Sequence, residues 1–192
     1  MKRQIDMLTD KELLFNLYLT QFVIFVLAVI LGVFSFPSWQ QFFLLFRFHW
    51  QEIILIGGGM ALLVIVVDLL LYRYLPKKWL DDGGINERIF AKRTIFHIFF
   101  IALIVSFCEE LLFRGILQTK IGYVWANGIF AIIHFRYLKK PIIFMLTVGV
   151  SFLLGASFLV TNNLFVPMFA HFLIDFILGT FIMIKTRWNK WN

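Results

Sequence analysis

The sequence predicts an all-α, polytopic membrane protein with about six transmembrane helices and both termini in the cytoplasm. Three observations carry this. Of 192 residues, 61% are hydrophobic and 15% charged, with a mean hydropathy of +0.87; a soluble domain has about 45–50% apolar and about 25% charged residues. Apolar runs long enough to cross a bilayer, about 20 residues each, recur along the chain. Basic residues cluster in alternate connecting segments. With 25 Phe and this little charge there is too little polar surface to face water. Soluble globular, disordered and disulfide-stapled classes are therefore excluded, and Cys108, the single cysteine, has no partner in the chain. The formal charge of +7 points to loops facing an anionic membrane surface, and no nucleic-acid partner is expected.

The first span is Leu13 to Phe36, which contains no charged residue; Thr9 with Glu12 three positions on reads as the capping box that starts it. Its length and the absence of a small-residue cleavage site mark it as a retained span rather than a signal peptide. The second span runs from Ile53 to Tyr72 and contains Asp68, which either faces a polar interior or pairs with Arg73. Gly57-Gly58-Gly59 reads as a close helix contact. A polar loop follows, with Pro76-Lys77-Lys78, Asp81-Asp82-Gly83-Gly84 and Arg88. Ile95 to Cys108 is apolar and runs into Glu109-Glu110, and Ile121 to Ile133 is a short apolar stretch. Pro141 to Ala170 has no formal charge but is interrupted by Thr161-Asn162-Asn163, which divides it into spans Ile142–Val160 and Leu164–Ile184. The expected organisation is an N-terminal two-helix region with its loop (1–91), a membrane core carrying the chemistry (92–184) and a basic tail (185–192).

Charge sets the direction. With the N-terminus inside, the inner segments hold Lys2, Arg3 and Lys11; Arg73, Lys77, Lys78, Arg88, Lys92 and Arg93; Arg136, Lys139 and Lys140; and Lys185, Arg187 and Lys190. That is fifteen of the eighteen basic residues, a strong positive-inside bias. Arg47 and Lys120 fall outside, and Arg114 falls within the membrane. Trp39, Trp50, Trp79, Trp188 and Trp191 lie near expected interfaces.

Ionisable groups in a bilayer core are costly and by default mark function. Here they fall in three patterns: Glu109-Glu110-x-x-x-Arg114, Phe130-x-x-x-His134 and His171-x-x-x-Asp175. Glu110 and Arg114 stand at i,i+4 with the acid first, a favourable helical ion pair. Glu109 lies about 100° round the helix, pointing elsewhere and free for chemistry. His171 and Asp175 share a face, so Asp175 can accept an N–H and hold the ring. His49 and His97 have no motif around them and read as packing residues. Cys108 beside two acids is unsuited to forming a thiolate and reads as packing too.

The midpoint between Glu109 and His134 falls between Ile121 and Gly122. A reversal there sets Glu109 and His134 face to face at one depth. The third helix, Thr94 to Ile121, would then be about 42 Å long against a core of about 30 Å, so it must tilt steeply or break near Cys108. His171, eight residues past Asn163, lies about 12 Å down the last span. The three groups then meet near mid-membrane.

At these residues the chain resembles the CPBP family of intramembrane proteases, also called Abi, bacterial relatives of the type II CAAX prenyl endopeptidases. The family motifs EExxxR, FxxxH and HxxxN/D read here Glu109-Glu110-Leu-Leu-Phe-Arg114, Phe130-Ala-Ile-Ile-His134 and His171-Phe-Leu-Ile-Asp175, with EELLFRG continuing through Gly115. The likeness covers residues 92–184. It implies an endopeptidase of the bacterial cell membrane acting on membrane-associated peptides or proteins within the lipid bilayer. Glu109 would be the base that activates water, His134 would position it, and His171 and Asp175 would stabilise the oxyanion, with Glu110, Arg114 and Phe130 supporting. A desolvated carboxyl group suits a base, and an oxyanion needs donors aimed at the developing charge. Where eukaryotic relatives carry Asn, this chain has Asp175. It either donates while protonated or orients His171 as a triad aspartate does, and the i,i+4 spacing favours orientation.

No cofactor is expected. Zinc is the alternative, because Glu109, His134, His171 and Asp175 are suitable ligand types, but no HExxH pair is present. The competing functions are an idle membrane scaffold or immunity protein of the same fold, and a transporter or proton channel using these groups as a relay. Against the last, the chain shows no internal inverted repeat.

Overall fold

The computed structural model describes residues 8–191, of which the side chains of 135 and 189–191 are outside the description. Lys2 and Arg3 lie outside the described residues, as do the side chains of Lys190 and Trp191. Among the described residues every regular element is helical. The principal helices are α1 (Asp10–Ser35), α2 (Trp39–Phe43), α3 (Glu52–Tyr74), α4 (Ile85–Phe90), α5 (Ile95–Ile121), α6 (Tyr123–Ile133), α7 (Pro141–Thr161) and α8 (Phe165–Trp191). Five of them, α1, α3, α5, α7 and α8, are long and apolar enough to cross a membrane. The sixth expected segment is the 11-residue α6, roughly 16 Å long and so about half a bilayer core.

Local chemistry sets the boundaries. The α1 capping box is complete: the Glu12 backbone N–H reaches Thr9 Oγ1 at 3.3 Å and the Thr9 N–H reaches Glu12 Oε2 at 2.6 Å. Thr94 caps α5 by accepting from His97 N. Pro141 opens α7, where its missing N–H is not needed, and Asn162, at φ 47°, ends it in the left-handed region. The Asn163 side chain then accepts from Phe165 N to start α8, so the split at 161–163 is real. That last helix runs through Trp191, and the residues expected as a separate tail after Ile184 continue it.

The chain winds up and down. The start of α1 meets α4 and its flank, with Asp10 paired to Arg88 at 3.0 Å and to Lys92 at 2.7 Å. Lys140, before α7, reaches Asp81, after α3, at 3.4 Å, and Arg187 near the end of α8 donates to Arg93 O. These contacts gather most described basic residues at one end. At the other end Lys120 lies over the Phe36 ring, and Asn163 donates to Glu52 at 3.1 Å. The short α6 therefore brings the chain back toward the basic end before α7 begins.

Without a hydrophobic drive between helices in lipid, close backbone approach and buried polar contacts hold such a bundle. Gly57 shows the first: a Cβ there would stand 2.8 Å from Val166 O of α8. Gly58 has only ordinary contact with Phe169 and Gly59 faces open space, so the expected close approach rests on the first glycine of the three. His97 is satisfied by the Tyr18 hydroxyl at 3.0 Å, as a packing histidine should be. His49 departs from that reading: it is exposed in the turn before α3 and sits beside Glu52.

Candidate active site

The third helix is neither a simple span nor a broken one. It is α-helical to Glu110 and then winds as a π-helix over Leu111–Gln118. Such wider turns are rare and recur at functional sites. Gly122, at φ 87°, makes the reversal into α6 where the midpoint arithmetic placed it. Glu109 and His134 consequently line one cavity of about 1120 Å³, together with His171 and Asp175. The same cavity is lined by Lys77, Asp81 and Asp82, so it reaches from the middle of the bundle to the basic end.

Each of the candidate groups Glu109, His134 and His171 is held by a neighbour. His134 follows α6 directly, and its Nδ1–H donates to Phe130 O at 2.8 Å. That leaves Nε2 with its lone pair. The Phe130 ring stacks on the imidazole with centroids 4.4 Å apart. The FxxxH spacing thus supplies both a tautomer lock and a face. Glu109, 8% exposed, accepts a hydrogen bond at 2.9 Å from Gln21 Nε2 of α1.

Glu110 forms the expected pair with Arg114, at 3.0 Å and fully buried. The pair does not close on itself. Glu110 Oε1 also accepts from His171 Nδ1 at 2.8 Å. The His171 Nε2 to Asp175 Oδ2 distance is 3.5 Å, so the shared face exists but the shorter contact of His171 is with Glu110. Spacing along α8 alone could not reveal a partner 61 residues away. Arg114 has further acceptors: Ser151 O at 2.8 Å, Ser151 Oγ at 3.0 Å and Asn127 Oδ1 at 3.4 Å. Its guanidinium also lies 4.9 Å from the centre of the Phe130 ring. One planar group thereby ties α5, α6 and α7 together.

Three residues of this arrangement escaped the motif reading: Gln21, Asn127 and Ser151. All are polar residues in otherwise apolar helices and all are buried, which is the signal that could have found them. Asp68 lines the same cavity and shows no ion pair with Arg73 among the described residues, which agrees with a polar interior. Also among the described residues, no three His, Cys, Asp or Glu side chains are grouped to hold a metal ion.

A model of the type II CAAX prenyl endopeptidase Rce1-like family matches residues 91–177, a stretch that contains all three motifs. Over 157 residues the chain is 45% identical to YpbD of Bacillus subtilis, an uncharacterized protein, covering 82% of this chain and 83% of YpbD. The chain belongs to the Rce1-like family. Rce1-like membership, together with five helices able to span a bilayer, makes it a multi-pass membrane protein of protease type. No solved structure matches it. The Rce1-like match begins after α1, α3 and α4, so Gln21 comes from outside the shared core.

Proposed function

We propose that this Rce1-like protein is an intramembrane endopeptidase that hydrolyses membrane-associated peptides or proteins with a water activated by Glu109 and without a metal. The observation that supports it most is the joint lining of one polar-ended cavity by Glu109, His134 and His171, each oriented by a named partner. Water bound between Glu109 and His134 Nε2 gives a proton to the carboxylate while its oxygen attacks the peptide carbonyl. His171, held at Nδ1 by Glu110, donates from Nε2 toward the oxyanion, and Asp175, 3.5 Å from that nitrogen, is its weaker second hold. The tetrahedral adduct then collapses, the C–N bond breaks, and the proton held by Glu109 passes to the leaving amine. The positive-inside rule puts the basic end, and both termini with it, in the cytoplasm, so substrate enters from that side or laterally below α6.

Comparative membrane proteomics of the wild type and Glu109→Ala tests this. The variant is expected to accumulate uncleaved substrate and to lose the matching new N-termini. Identical profiles would overturn the hydrolase reading, and unchanged biological activity would favour a scaffold. Activity of the purified protein is expected to survive a chelator; loss restored by zinc would move the mechanism to a metalloprotease.

A further inference from the structure

Gln21 stands in the middle of α1, a helix whose apolar sequence needs no amide. It is 5% exposed, and it reaches across 88 positions of chain to Glu109. It also lines the cavity that Glu109 lines. Its Nε2 is used, at 2.9 Å from Glu109 Oε1, whereas its Oε1 is buried with no hydrogen-bond partner among the described residues.

We infer that Gln21 is a positioning residue of the hydrolytic site: its amide N–H fixes the Glu109 carboxylate at the cavity wall. The inference rests on the reading of Glu109 as the base. The chemistry favours an amide at this place. A Lys or Arg would hold the carboxylate as firmly, but a full positive charge would stabilise the ionised form and weaken it as a base. An alcohol is too short to span the gap from α1. Gln supplies a neutral N–H donor on a planar head, which holds the base without adding a charge. The Rce1-like core is therefore incomplete here without the N-terminal helix.

The experiment compares wild type, Glu109→Gln and the isosteric Gln21→Met. The rate is read at the cleavage sites in producer-cell membranes that disappear with Glu109→Gln. Gln21→Met is expected to slow cleavage at those sites by about tenfold to a hundredfold, the effect of one hydrogen bond to a charged group. It is also expected to move the infrared carboxylate band that ¹³C-Glu labelling shows and Glu109→Gln removes. A wild-type rate, or a reduced rate with that band unmoved, overturns the inference while the base assignment stands. If no sites disappear with Glu109→Gln, the base assignment falls and this inference with it. Should Gln21→Met yield no folded protein, solid-state NMR on the wild type in liposomes decides. Dipolar coupling between ¹⁵N-Gln and ¹³C-Glu side chains, assigned through Glu109→Gln, supports the contact, and its absence overturns it.

Discussion

Glu109 and Glu110 are chain neighbours at the end of one α-helical stretch, and they differ in every partner. Glu109 borders the cavity and is held by one neutral donor, Gln21. Glu110 is absent from the cavity wall, is fully buried, and accepts from both Arg114 and His171. A rotation of about 100° separates them. One side of α5 borders the cavity and the other meets a buried network of Arg114, Asn127 and Ser151. The pair therefore divides two tasks: Glu109 keeps its carboxylate at the cavity, as the proposed base must, whereas Glu110 Oε1 ties Arg114 to His171 and its Oε2 is buried without a hydrogen-bond partner among the described residues.

The division predicts different failures on the two sides. Glu109→Gln keeps the size of the side chain and an acceptor for Gln21. It should leave the amount of folded protein unchanged while cutting hydrolysis by about 10²–10⁴-fold, the usual contribution of a general base. Product N-termini set against extraction yield measure both; a folded, active variant would erase the distinction. Arg114→Met should do the reverse. It strands a buried carboxylate and is expected to cost about 3–5 kcal/mol, seen as loss of a folded peak in detergent chromatography. Gly155→Ala probes the same network more gently. Its Cβ would stand 2.5 Å from Asn127 Nδ2 and 2.9 Å from Gln118 Oε1, and overpacking of this kind costs about 1–3 kcal/mol. Thermal unfolding in detergent should show that loss, and an unchanged midpoint would show that the network yields to the added methyl. Asp175→Asn should have the smallest effect, under about tenfold in rate, because the 3.5 Å contact is the weaker hold on His171. Complete loss would instead give Asp175 the orienting role alone.

Five of the six expected spans, the turn at Gly122 and the division at Asn162 were legible in the sequence because each depends on local composition: apolar length, a residue tolerant of positive φ, a cap. The three motifs were legible for the same reason, since ionisable groups are conspicuous against 61% hydrophobic residues. What the sequence could not show was partner choice across helices. The i,i+4 rule paired Glu110 with Arg114 and His171 with Asp175, and both contacts occur. The rule is blind to the Glu110–His171 bond and to the Gln21–Glu109 bond, which depend on how α8 and α1 are rotated against α5. The winding of α5 was half visible: excess length announced an irregularity, but the eight residues Leu111–Gln118 are too few for hydrophobic periodicity to tell a π-helix from an α-helix.

Beyond the level of Glu109, toward the end opposite the basic loops, Ile24 and Ala28 of α1, Leu111 and Ile116 of α5, and Leu164 before α8 pack into one buried cluster. The cavity wall includes Ile24 but none of the other four. That cluster closes off the cavity on the side away from the basic loops. Under the proposed hydrolysis, water admitted to mid-membrane would meet packed apolar side chains there rather than a path to the second aqueous phase.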